Sequence, residues 1–161
     1  MADGITVEAD AKSGGIKYSA FISYSHKDAE AARRLHRRLE GFRMPKDLAP
    51  RRSVATESRP LGRVFLDRAE LSAASNLSRQ IQLALEQSDA LVVLCSRSSA
   101  VSRYVADEIR YFRELGRSDR VFAVILDGEP YASIRDTGNP DAECLPAPCC
   151  VAKAGPRGDP T

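Results

Sequence analysis

The chain is poor in the residues that build metal centres. Among its 161 residues are two histidines, His26 and His36, and four cysteines, Cys95, Cys144, Cys149 and Cys150. None of these stands at a spacing that metal coordination uses, so no metal site is expected. Three of the cysteines crowd a proline-rich tail and the fourth falls in a short apolar run, which reads as reduced thiols in a cytoplasmic protein. Long apolar stretches are missing as well. The longest, "ALVVLC" and "VFAVIL", are far too short to cross a bilayer, so no membrane partner is expected. The opening "MADGITVEAD" carries acidic residues and no apolar core, unlike a secretion signal. Charge of one sign is nearly absent in sum, with a formal net charge of +2, which does not mark a nucleic-acid binder. The basic residues are nevertheless uneven: Arg33, Arg34, Arg37, Arg38, Arg43, Lys46, Arg51, Arg52, Arg59 and Arg63 lie close together in the chain. They fit either a solvated helix face with an exposed loop or a docking surface for an acidic partner. Internal repeats and heptads are lacking.

What is present is an alternation of two periodicities in a chain that is 43% hydrophobic and 29% charged, suited to one domain. Residues 1–16 are polar, contain a Gly-Gly pair and read as a disordered lead-in. "KYSAFISYS" (17–25) is rich in strand formers. Asp28 stands where it would cap a helix to about Gly41, with Ala32, Leu35 and Leu39 inward. Residues 42–62, broken by Pro45, Pro50 and Pro60, form a connection. "RVFLD" (63–67) reads as a strand, "RAELSAASN" as a loop, and Asn76 to Ser88 as a helix with Leu77, Ile81, Ala84 and Leu85 inward. "ALVVLCS" (90–96) and "RVFAVIL" (120–126) are continuous apolar runs, expected to be strands buried on both faces. After Asp127 no element is legible. Residues 131–161 read as an irregular Pro-, Gly- and Cys-containing tail, expected to be mobile. Strand–helix alternation with buried strands implies an α/β fold, a parallel sheet flanked by helices.

Between the last two strands lies "SRYVADEIRYF" (102–112). At the helical period Val101, Tyr104, Val105, Ile109, Phe112 and Leu115 gather on one apolar arc, with Tyr111 at its edge. Arg103, Asp107, Arg110, Arg113 and Glu114 take the opposite face. Glu108 falls inside the apolar arc, one turn after Tyr104. A carboxylate there either hydrogen-bonds a buried partner, snorkels from the helix edge, or is held for use in a site. In parallel sheets ligand sites lie outside the carboxyl ends of the strands. Those ends read "SYSHKD", "LDRAEL", "LCSRSS" and "LDGEP", dense in hydroxyls and carboxylates. A receiver domain would need an acidic cluster ending the first strand and a phosphoacceptor Asp ending the third, and neither place carries one. "CSRSSAVSR" has the wrong Cys–Arg spacing for a phosphatase loop.

The order of these motifs resembles the Toll/interleukin-1 receptor (TIR) domain in its bacterial form, from about Tyr18 to Pro130. "AFISYSHKD" is similar to the family's first box. "RVFLDRAELSAASNLSRQIQLALEQSDALVVLCS" resembles its second strand, BB loop, second helix and third strand. "SRYVADEI" resembles the segment in which an aromatic precedes a Glu by four positions, and "RVFAVILDGEP" the fourth strand. Tyr104 stands where the family usually has Trp, the loop "RAELSAASN" lacks the usual Gly or Pro, and the family's fifth strand and last helix have no counterpart after Pro130.

The resemblance implies a flavodoxin-like TIR fold without that fifth strand and last helix. It further implies a role in signalling or defence. Some TIR domains are scaffolds; others cleave NAD to nicotinamide and ADP-ribose or a cyclic product. Carried over by position, Glu108 matches the catalytic Glu and Tyr104 the aromatic lining the pocket. Tyr24, Ser25 and His26 match the turn facing the substrate, and Asp67 and Arg68 the mouth of the BB loop. NAD would be substrate, with no further cofactor. The expected partners are other TIR domains in homotypic self-association through the loop Arg68–Asn76, one face of each copy meeting a different face of the next. The other reading is an interaction module without turnover.

Overall fold

The computed structural model describes residues 15–43, 45, 60–66, 77–135 and 138–149. Four strands, β1 (Tyr18–Ser23), β2 (Val64–Leu66), β3 (Ser88–Cys95) and β4 (Val121–Ile125), alternate with four helices, α1 (Ala29–Glu40), α2 (Arg79–Glu86), α3 (Arg97–Ala100) and α4 (Arg103–Glu114). All strand pairs are parallel, in the order β2-β1-β3-β4. This is the α/β fold that the alternation implies, and no fifth strand occurs among the described residues.

Side-chain alternation along β1 divides the core in two. Phe21 faces one layer, where it packs with Ile81, Leu85, Val105, Ile109 and Phe112 of α2 and α4. Ala20 and Ile22 face the other, with Ala32 of α1, Val64 and Leu94. The apolar stripe of each helix is therefore matched to one face of the sheet, and its burial is the main stabilising contribution. Polar ties fix the edges. Tyr111 of α4 donates to Glu86 of α2 at 2.5 Å, and this bond, helped by burial, holds the phenol above its usual pKa. Arg117 donates to the carbonyls of Glu86 and Ser88 at 2.9 and 2.6 Å, closing the turn between α2 and β3.

Several local expectations change. Asp28 precedes α1, but its carboxylate caps nothing. It accepts instead from the Ser96 hydroxyl at 2.6 Å, a partner at the end of β3 that outcompetes the local N–H groups. The second helix is shorter than expected. Ser78 caps it, accepting from Ile81 N at 3.3 Å. β3 starts early, at Ser88, because Ser88 pairs with Tyr18 and its hydroxyl donates to the Ala84 carbonyl at 2.7 Å. Val101 is 82% exposed, since it precedes the Ser102 cap of α4 and lies outside the helical arc.

The strand β4 is not buried on both faces. It is an edge strand, with Phe122 and Ile125 about half exposed and Leu126 exposed beyond it. A continuous apolar run reports hydrophobicity but not what lies beside the strand, and among the described residues β4 has a neighbour on one side only.

The segment after Pro130 is not peripheral as far as residue 149. Cys144 and Leu145 are buried in the layer of α2 and α4, and Arg113 donates to the Pro148 carbonyl. One side chain gathers this segment. Glu143 Oε1 accepts from the backbone N–H groups of Tyr131, Cys144 and Leu145 at 3.1, 3.0 and 2.9 Å. Its Oε2 accepts from the N–H and hydroxyl of Ser133 at 3.0 and 2.7 Å. Partial burial pushes the Glu143 carboxyl up, but these donors outweigh it and hold the group at about 2. The chain enters the clasp through Gly128, at φ +88°, where a Cβ would stand 2.6 Å from the Ala142 carbonyl oxygen and 2.9 Å from Cys144 Cβ. Gly128→Ala therefore combines left-handed strain with a backbone clash. A loss of roughly 2 kcal/mol or more is expected in denaturant unfolding. Wild-type stability for this variant would show that the clasp moves freely.

Candidate active site

The site is built from the last residue of a central strand and the middle of a helix. Ser23 shares its face of β1 with Phe21, so its hydroxyl points towards α4. On α4 the inward positions are Val105, Ile109 and Phe112, all fully buried. Glu108 lies three residues after the first and four before the last, and so projects to the same side. It is 1% exposed, and Ser23 is wholly buried. The Ser23 hydroxyl donates to Glu108 Oε2. A buried carboxylate is costly without such a donor, and a hydrogen bond to a charged group is worth about 1.5–3 kcal/mol.

Around this pair the strand ends are tied together. Ser96 follows β3 and caps α3; it accepts from Ser99 N at 3.1 Å and gives its own N–H to Ser99 Oγ at 2.8 Å. Its hydroxyl reaches across to Asp28, linking the turns that follow β1 and β3. Arg97 and Asp127, at the ends of β3 and β4, stand 3.5 Å apart and both are largely exposed, so that pair adds little stability.

The other residues singled out in the sequence are spread about this end of the sheet. Tyr104 is half-buried on α4, one turn before Glu108. Ser25 is buried, and its carbonyl accepts from Asp28 N at 2.8 Å as the first turn opens. His26 is exposed. Tyr24 is half-buried and packs against the layer on the α1 side, away from the face that Ser23 uses. Asp67 and Arg68, with the rest of the loop to Asn76, lie outside the described residues.

Ser23 and Ser96 are structural members of this end that residue patterns did not single out, and Asp28 was read only as a helix cap. Ser23 was findable, because it has the same strand parity as Phe21. A cavity of about 440 Å³ lies elsewhere, between α4, β4 and the turn at 147–149, lined by Ile109, Arg113, Val121, Ala123, Pro148 and Cys149. Of the residues named around Glu108, Ile109 lines it; Ser23, Glu108 and Tyr104 do not. Among the described residues no cluster of His, Cys, Asp and Glu could hold a metal ion, and no helix is long and apolar enough to cross a membrane.

A desolvated carboxylate beside the carboxyl ends of a parallel sheet can stabilise positive charge or engage a hydroxyl on a bound molecule, with water held back. The chain is similar to known proteins. The model of the family described as Thoeris protein ThsB, TIR-like domain, matches residues 21–131. Over 130 residues the chain is 32% identical to the protein named NAD(+) hydrolase ApTIR from Actinoplanes sp.. That similarity takes in 80% of this chain but spans 16% of the relative's length. Among solved structures, the TIR domains of the activated Roq1 resistosome, which directly recognizes the pathogen effector XopQ, share the fold. Their TM-score is 0.51 at 18% identity, covering 78% of this chain and 66% of that one. On the family match across most of its sheet and α4, this chain belongs to the TIR-like domains.

Proposed function

We propose that the chain is the NAD-cleaving domain of a defence or signalling protein, with Glu108 as its catalytic residue. The observation that carries this reading is the carboxylate at 1% exposure, held by Ser23, in a chain 32% identical to a named NAD(+) hydrolase. In the reaction the bond between the nicotinamide nitrogen and ribose C1′ breaks. Both electrons leave with the nitrogen, so the cationic ring departs neutral. Positive charge builds on the ribose as an oxocarbenium-like ion, and the Glu108 carboxylate stabilises it or holds a ribose hydroxyl. Water then adds at C1′ and releases a proton, giving ADP-ribose; attack by a group of the same molecule gives a cyclic product instead. The apolar wall of Val105, Ile109 and Phe112 strengthens the electrostatic contribution by excluding water. Tyr104 offers an aromatic face for a flat ring. No metal or further cofactor enters the scheme, and the protein acts in the cytoplasm.

Turnover is further proposed to rise on homotypic self-association through residues 68–76, with copies joined face to different face so that the contact propagates. Nicotinamide release per chain should then increase with protein concentration or crowding, and Leu71→Asp should flatten that dependence. Release that is constant per chain at every concentration, with Leu71→Asp equal to the parent, would remove the association step from the scheme. No release in any assembly state would leave a TIR–TIR interaction module.

A further inference from the structure

We propose that Ser23 is the positioning residue for Glu108: its hydroxyl fixes the orientation of the carboxylate for work on the substrate. The inference rests on the proposed reading of Glu108 as the group that acts on NAD.

Three observations carry it. First, Ser23 is a fully buried hydroxyl on the core face of its strand, a place where a polar group is unfavourable unless bonded. The bond it makes is to Glu108 Oε2, across a long stretch of chain. Second, its backbone belongs to an inner strand of the sheet. β1 lies between β2 and β3, and Ser23 itself pairs with Val93. The donor is thus placed by the sheet, independently of α4. Third, the last torsion of a glutamate is broad, so a carboxylate on a helix has no preferred orientation of its own. A bond at one oxygen removes that freedom and directs the other. Donation to the charged form also favours ionisation. The sheet thereby aims a group that the helix only carries.

The test compares Ser23→Ala, Ser23→Thr and the parent chain in two readouts. In nicotinamide release, Ser23→Ala should lower kcat roughly tenfold or more while KM stays within about twofold. Ser23→Thr, which keeps the hydroxyl, should recover most of the loss. The second readout needs no turnover. The side-chain carboxyl carbon of Glu108 is followed by NMR in glutamate-labelled protein and assigned by its absence from Glu108→Gln. Its titration midpoint should rise in Ser23→Ala, because a donor to the charged form is lost. The described charged groups in the turns at this end of the sheet, among them His26, Lys27, Asp28, Arg97 and Asp127, are unchanged by the substitution, so the movement reads Ser23. A midpoint that stays put, or a kcat equal to that of the parent, overturns the inference. A parent chain that releases no nicotinamide while the midpoint still moves overturns the hydrolase reading and leaves Ser23 as the group that orients Glu108.

Discussion

Glu108→Gln should reduce nicotinamide release by about two orders of magnitude or more, the usual consequence of losing one preorganised electrostatic group. The substitution keeps the shape and removes the charge that faces the ribose cation. The amide oxygen still accepts from Ser23, the donor that the structure gives the carboxylate. Folding should therefore be unharmed or slightly improved, because a side chain 1% exposed no longer carries a charge. A purely structural Glu108, held by a buried ion pair, would behave in the opposite way. Neutralising one partner then costs roughly 3–5 kcal/mol. Release assays and thermal unfolding on one variant separate the cases. A destabilised variant with unchanged release would end the catalytic assignment.

Glu143→Ala should be the most damaging polar substitution outside the site. It removes an acceptor shared by five donors from Tyr131, Ser133, Cys144 and Leu145. Several of those donors reach water once freed, so the individual bond energies do not add. A loss of roughly 2–4 kcal/mol is expected in denaturant titration. The same group makes stability pH-dependent. Its carboxyl sits at about 2 in the folded chain against an ordinary 4.5, so its contribution is complete above about 4.5. It is lost as pH falls from there through about 2, because the unfolded chain takes up the proton first. Glu143→Ala should flatten the stability profile in that window. A variant whose acid unfolding matches the parent would place the acid sensitivity in other carboxylates.

The fold was legible wherever a regular period met a matching surface. α4 declared itself because Val105, Ile109 and Phe112 recur at the helical spacing, and the same arithmetic puts Glu108 among them. The strands were legible as apolar runs, but the exposure of Phe122 and Ile125 was not, since a run says nothing about its neighbours. Asp28 shows the limit of local rules. It fits a helix cap by position, yet a hydroxyl brought from the end of β3 by the tertiary fold takes its carboxylate. Glu143 was invisible for a related reason. Its donors come from irregular backbone, where no period marks which N–H groups converge. In the site, Glu108 and Tyr104 could be placed on one helix, whereas the Ser23 contact required knowing which strand lies against that helix.

The position of β1 has a consequence for how the chain reaches this structure. It is the first of the described strands to be made, yet it lies inside the sheet, with Ala20 paired to Val64 on one side and to Ala90 on the other. Both pairings are parallel and distant in sequence, so each requires a large loop to close before any hydrogen bond forms. During synthesis one edge of "AFIS" therefore waits for β2 and the other for β3. Refolding from denaturant should be slow for a domain of this size, and most prone to aggregation before β3 docks. The same late docking brings Ser23 up to α4, so the site comes into being only with the completed sheet.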